Sequence, residues 1–328
     1  MTMAVRWVRW AGHVGFGLVL AGATAWAATV VGVQFAGFGR GVGWGLIALA
    51  CAALLVLRWR GGQARTGFAV AALVVGAWYQ TIQPRQDRDW AADVEHGISG
   101  TVTGFTVTLH NVRDFVWTSD SAATPFWESR TYDLDQLSSV DMFTSTWGNP
   151  DIAHLIVSFG FGAASRIAFS VEIRKEKGES FSTIGGFFRD FELVLIAADE
   201  ADVIRVRTNL RGEEVLMFPV KLKPEQMRAL FLSYLDLGNQ LAERPQFYNT
   251  VTANCTSTVY GLVQVIKPDM PLDRRLLLSG QLPEYIDELG GLPGAIPMDQ
   301  RRAAAAISER AKGMVAGANF SDWIRSGD

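Results

Sequence analysis

The chain has 328 residues, 49% of them hydrophobic, and a formal net charge of −3. That is more apolar content than one ordinary water-soluble domain buries, and without a basic patch interleaved with aromatics there is no case for nucleic acid as a partner. Two cysteines, Cys51 in an apolar stretch and Cys255 far beyond it, argue against a disulfide; one cysteine with three scattered histidines after residue 82 (His96, His110, His154) argues against a Cys/His metal site, and no cofactor is expected.

The apolar content is unevenly spread. Residues 1–82 hold no acidic side chain, and all 33 Asp and Glu follow them, so a membrane part precedes a water-soluble part. Three apolar segments are expected to span, at residues 14–38, 42–57 and 67–82. Arg6 and Arg9 precede the first, Arg40 stands alone before the second, and Arg58, Arg60 and Arg65 precede the third. This distribution places the N-terminus and the second loop in the cytoplasm and delivers everything after Gln83 to the outer side. The third segment is the shortest for the task; as a surface helix it would leave the soluble part cytoplasmic.

The soluble part follows a charged linker over residues 83–98. Alternation predicts strands at 101–111 and 127–137, and a strong hairpin from 153–159 and 166–174 turning over 160–164. Further strands are expected at 191–197, 202–208 and 214–220. An amphipathic helix opened by Pro224 and Glu225 covers 222–242; Gly238 falls on its apolar stripe, at a place suited to close packing. A second, buried helix is expected over 256–266, with Val259, Leu262, Val263 and Ile266 at helical spacing. The proline-punctuated remainder, 271–328, reads as a helical extension wrapping the domain. The fold class is α+β, divided into a membrane domain at 1–82, the linker, a Cys/His domain at 99–270 and the extension.

Cys255 opens the second helix. A thiol there feels the positive end of the helix dipole and nearby unpaired N–H groups, which favour thiolate and are placed to stabilise an oxyanion. A small buried hydrophobe is the plainer alternative for a lone cysteine. His154, at the start of a hairpin strand about 100 residues earlier, shifts the balance, because a nucleophilic thiol needs an imidazole and the imidazole needs a polar partner to fix its tautomer. With the turn near Gly162, His154 lies opposite roughly Ser170, with Glu172 one diagonal step away on the same face. Glu172 is therefore the expected orienting residue, and Ser170 or Ser158 the weaker substitutes.

The order of His strand, partner strand and Asn-Cys helix start resembles circularly permuted papain-like proteins, the group of lecithin:retinol acyltransferase. The chain is more closely similar to the bacterial Lnb N-terminal periplasmic domain family. The residues that carry this are Trp127-Glu128-Ser129-Arg130-Thr131-Tyr132-Asp133-Leu134, Trp147-Gly148, Ala153-His154, Ser158-Phe159-Gly160-Phe161, Ser170-Val171-Glu172-Ile173-Arg174, Arg207-Thr208-Asn209, Arg244-Pro245-Gln246-Phe247-Tyr248-Asn249-Thr250 and Asn254-Cys255-Thr256. The resemblance implies a permuted papain-like domain in the periplasm, held at a bacterial inner membrane, whose Cys and His do thioester chemistry on a phospholipid or lipoprotein substrate. Cys255, His154 and Glu172 are the expected catalytic residues, with Ser158, Ser170, Arg174, Asn254 and Tyr248 as substrate-binding or supporting residues. A cell-envelope cysteine peptidase or amidase, and a non-catalytic membrane-anchored binding protein, are the alternative readings. The three apolar segments preceding the domain depart from the architecture of the family's namesake, a lipoprotein N-acyltransferase.

Overall fold

The computed structural model describes residues 3–162 and 165–326. Ala163 and Ala164, where the sequence places the end of the hairpin turn, and the side chains of Arg6 and Arg9, whose charges orient the first segment, lie outside the described residues. The chain divides into two compact units, Met1–Pro84 with Ser182–Asp190, and Arg85–Phe181 with Phe191–Asp328.

In the first unit the three apolar segments form helices α1 (Met3–Gln34), α2 (Gly37–Trp59) and α3 (Ala64–Thr81). Two stretches, Trp10–Gln34 and Gly37–Trp59, are long and apolar enough to cross a membrane. The 18 residues of α3 extend about 27 Å at 1.5 Å per residue, slightly less than a hydrocarbon core of about 30 Å. α2 folds back along α1 because Gly43 presents no side chain: a Cβ there would stand 2.6 Å from a Val31 methyl. The Trp44 indole donates to the Ala28 carbonyl across the same seam, at 2.9 Å. α3 then runs parallel to α1. Ring pairs link Phe16 to Phe68 at one end, Trp26 to Tyr79 further along, and Phe35 to Trp78 at the other.

The second unit is built on a mixed sheet of strands β1 (Ser99–Thr103), β2 (Thr106–Arg113), β5 (Trp127–Asp133), β6 (Leu137–Thr146), β7 (Ala153–Phe161), β8 (Ser165–Arg174), β9 (Glu192–Ala198) and β10 (Glu214–Pro219). Its order is β1-β2-β9-β8-β7-β6-β10, with β5 also paired to β2. A small separate pair, β3 (Val116–Trp117) and β4 (Ala123–Thr124), stands apart. β7 is central and covered on both faces. Leu155, Val157, Phe159 and Phe161 enter a first core, and Ile156 enters a second with Phe143, Ala168 and Ile196. Double burial explains why β7 is apolar at nearly every position rather than alternating.

The first core is closed by α5 (Pro224–Glu243) and α6 (Cys255–Val263). Phe231 of α5 meets Phe159, Phe161, Phe169 and Tyr132 edge-on, so its loss costs about 3–5 kcal/mol. Gly238 is the close contact its position foretells: a Cβ would sit 2.8 Å from the Ile98 carbonyl oxygen. The tail helices α7 (Leu282–Glu288) and α8 (Met298–Ala305) add Leu282, Tyr285 and Ala305 to the first core, while α4 (Glu200–Val203), α9 (Ser308–Lys312) and α10 (Phe320–Trp323) close the second, with Ile307, Phe320 and Ile324.

Two expectations are corrected. The stretch 101–111 is a hairpin of β1 and β2, because Gly104 at φ +62° turns the chain. The stretch 202–208 is helical: Asp199 caps α4 by accepting from the Ala201 N–H, and a π-turn, Val206–Leu210, follows. The tail packs on the Cys/His domain, where the Gly280 N–H donates to the Asp151 carbonyl.

Candidate active site around Cys255

The site lies where β7 begins and α6 begins. Asn254 caps α6: its Oδ1 accepts from the N–H groups of Thr256 (2.9 Å) and Ser257 (2.8 Å), its Nδ2 donates to the Thr250 carbonyl (2.7 Å), and its own N–H donates to Ser257 Oγ (2.9 Å). This reciprocal cap fixes the first turn and with it the half-buried Cys255. It also corrects the expected supply of oxyanion donors. Three of the four N–H groups of that turn are already used, so the helix start has at most the Cys255 N–H to offer.

His154 is the second residue of β7. The N–H and carbonyl of Ala153 just before it are both held by the tail residue Ser279, whose hydroxyl accepts at 2.8 Å and donates at 2.7 Å. The strand start is thus pinned from residues far along the chain, and the imidazole, 12% exposed, has little room to move. Nε2 of His154 stands 2.7 Å from Ser170 Oγ and 3.1 Å from Glu172 Oε1. The Ser170 hydroxyl donates to Glu172 Oε1 at 2.7 Å. Its proton is therefore committed, and Ser170 accepts from the His154 Nε2–H. Nδ1 is the nitrogen left for sulfur, and His154 and Cys255 are close enough for each to shift the ionisation of the other.

The hairpin register differs from expectation by two residues. Ile156 pairs with Ser170 and Phe161 with Ser165, and in this register His154 falls level with Glu172. The shift brings the carboxylate closer than a diagonal would, while Ser170 stays within reach.

The electrostatics are those of an ion pair. Burial lowers the His154 pKa, but the Glu172 charge and hydrogen bonds to Cys255 and Glu172 outweigh it and raise the value to about 9. Burial raises the Cys255 thiol, and the hydrogen bond and charge of His154, with the Leu155 N–H and the Thr256 hydroxyl, bring it below its ordinary value. Burial raises Glu172 too, yet His154, Arg207 and Ser170 hold its carboxyl well below the usual range. At neutral pH this set carries imidazolium and carboxylate, and the imidazolium favours the thiolate form of Cys255.

Arg207 is the residue the sequence left unassigned. It is 5% exposed, donates to Glu172 Oε1 at 3.0 Å and is itself fixed by a bond to the Val203 carbonyl at 2.7 Å. The π-turn aims it: the Arg211 N–H reaches back five residues to Val206. The five-residue turn leaves no alternation or 3.6-residue period to read. Tyr248 is close enough for the charges of Cys255 and Glu172 to add to the burial that raises its phenol.

Two expected supporting residues stand elsewhere. Ser158, fully buried, donates to Glu200 Oε1 at 2.6 Å; it shares a face of β7 with His154 but lies four residues along, about 13 Å at 3.3 Å per residue. Arg174 lies 4.5 Å over the Trp90 ring and donates to the Val94 and Glu95 carbonyls and to Gln86, anchoring the linker. It also lines a cleft of about 300 Å³ with Gln86, His96, Asn111 and Gly238, of which neither Cys255 nor His154 is part.

Residues 123–280 match the model of the Lnb N-terminal periplasmic domain family, the family the sequence resembles; the span takes in His154, Ser170, Glu172, Arg207, Cys255 and Ser279. No curated protein and no solved structure matches the chain.

Proposed function

We propose that this Lnb-type domain is a membrane-anchored thiol acyltransferase working outside the cytoplasm. The observation that carries the reading is a cysteine at a capped helix start beside a histidine that lowers its pKa and whose Nε2 is held by Ser170 and Glu172. In the first half-reaction the Cys255 thiolate attacks the carbonyl carbon of a lipid ester. The C–S bond forms, the ester C–O bond breaks, and His154 gives its proton to the departing oxygen. In the second, neutral His154 takes a proton from an amine or alcohol that attacks the thioester; the C–S bond breaks and the thiolate–imidazolium pair returns. Glu172 stabilises the imidazolium and stays ionised throughout, and Arg207 keeps it so.

The chain order supports a permuted papain-like layout: the histidine strand and its partner come first, and the cysteine helix follows. The parallel course of α1 and α3 supports three crossings, because a helix that keeps company with a spanning helix from Phe16 to Phe35 travels the same depth. With Arg58, Arg60 and Arg65 at the far end, the domain emerges on the side opposite those arginines, which is the periplasmic side of an inner membrane.

Intact-mass analysis of the full chain purified from membranes tests the reading. The expected result is a fatty-acyl adduct on the wild type that neutral hydroxylamine removes and that Cys255→Ser lacks. A wild-type chain that never acquires an adduct from phospholipid vesicles, although Cys255 alkylates readily, would overturn it.

A further inference from the structure

Between β8 and β9 the chain leaves the sheet, and residues 182–190 join the helical unit. This segment, Ser182-Thr183-Ile184-Gly185-Gly186-Phe187-Phe188-Arg189-Asp190, has two exposed large apolar side chains, Ile184 at 59% and Phe187 at 46%. It packs on α1 and α3. The Phe188 ring lies 6.3 Å from Trp26, and the Gln34 amide donates to the carbonyls of Phe188 (2.9 Å) and Arg189 (3.0 Å). Arg189 stacks 4.4 Å over Tyr79 and donates to the Tyr79 and Ile82 carbonyls, a cation placed on the negative end of α3.

Depth is the first argument. Trp26 lies eight residues inside the spanning stretch that ends at Gln34, about 12 Å along the axis at 1.5 Å per residue. Phe188 therefore sits beside a part of α1 that is within the span. The second argument is the backbone. Irregular chain survives in lipid when its polar groups find partners, and here most of the N–H groups do: those of Gly186, Phe187, Phe188 and Asp190 donate to carbonyls within the segment, and that of Gly185 to Ser182 Oγ. Gly185 is what lets the turn close so tightly, since a Cβ there would lie 2.2 Å from Asp190 Oδ2. Arg189 is held at φ +60°, an uncommon conformation for a side-chain-bearing residue that the surrounding bonds impose. An apolar tip on a turn that bonds five of its own N–H groups internally, packed on apolar helices, is suited to lipid.

We propose that residues 182–190 are a membrane-seated turn whose Ile184 and Phe187 enter the acyl-chain region of the leaflet in which α1 and α3 end. Phospholipid is the partner of this surface, and the assignment rests on α1 and α2 being membrane spans. The turn gives the domain a second attachment to the bilayer, about 100 residues beyond the last helix.

The test uses the full chain carrying Cys51→Ala and Cys255→Ala, in phosphatidylcholine–phosphatidylglycerol vesicles, with single sites for a polarity-sensitive fluorophore: Ile184→Cys, Phe187→Cys, Leu49→Cys in the middle of α2, and Glu179→Cys on the neighbouring charged turn. All four parent side chains are exposed, so labelling leaves the packed regions intact. The expected result is blue-shifted emission at 184 and 187 and strong quenching by lipids with a nitroxide high on the acyl chain, while Glu179→Cys is unaffected. If 184 and 187 behave like 179 while Leu49→Cys is quenched by deep nitroxides, the membrane reading stands and the turn is not seated in lipid. If Leu49→Cys is unquenched as well, both fall.

Discussion

His154 and Ser158 occupy the same face of one strand, four residues apart, and each belongs to a buried cluster of charges. Ser158 serves a sealed one. Arg325, near the end of the chain, donates to both Glu200 oxygens at 2.8 Å and to Asp141 at 2.6 Å, while Arg166 meets Asp141 at 3.3 Å. Glu200 is fully buried, and although burial raises its carboxyl, Arg325 and Ser158 hold it below its ordinary value. Every charge there has a permanent opposite, and nothing is left to react. The His154 cluster also pairs its charges, but one member is a half-buried thiol whose ionisation depends on a histidine. The difference teaches that burial and ion pairing mark structure as readily as function; what sets the Cys255 group apart is a proton that can move.

That contrast can be broken in order of size. Cys255→Ala removes the nucleophile, and thioester-dependent turnover should fall roughly 10⁴-fold or more, measured by transfer of a labelled acyl chain. Glu172→Gln keeps the shape but removes the charge that holds up the histidine, and strands Arg207. Turnover should fall roughly 10²-fold or more, and the alkaline limb of the pH profile, expected near pH 9 in the wild type where the imidazolium loses its proton, should move to lower pH. Ser170→Ala should cost only about tenfold, within the range of a single positioning hydrogen bond of about 1–1.5 kcal/mol, because Glu172 remains 3.1 Å from the imidazole. A Ser170→Ala loss larger than that of Glu172→Gln would make the serine the orienting group. Arg325→Ala should leave turnover and pH profile of the folded protein unchanged. It strands Glu200 and Asp141, so denaturant unfolding should report a loss of about 3–5 kcal/mol. A shifted pH profile in that variant would show that the two clusters are coupled.

Much of this was legible before the structure. An apolar run placed β7, alternation placed β8, helical spacing placed the helix of Phe231, and the polar run before Thr256 marked a capped helix start at Cys255. Period-based reading failed where local chemistry overrode it: at Gly104, whose positive φ split one expected strand, and at 202–208, where the Asp199 cap and the π-turn replaced another. β6 was hidden because Leu137–Thr146 is buried on both faces over much of its length and carries no alternation. Within the site, the side chains close in sequence, His154 with Ser170 and Glu172, were found through hairpin geometry. Arg207 and Ser279 were not, because their roles come from tertiary contacts across 35 and 126 residues. Ser158 had the right face and the wrong depth, a distinction that alternation does not make.

The claim that Cys255 is an activated nucleophile is tested most directly by the pH dependence of its alkylation. With Cys51→Ala as background, the rate of iodoacetamide labelling should rise through a midpoint below the value of about 8.5 of a free thiol. His154→Gln should move that midpoint above 8.5, because burial then acts on the thiol with no imidazolium to oppose it. Identical curves in the two proteins, both with the midpoint of an ordinary or raised thiol, would contradict the account and make Cys255 a structural cysteine.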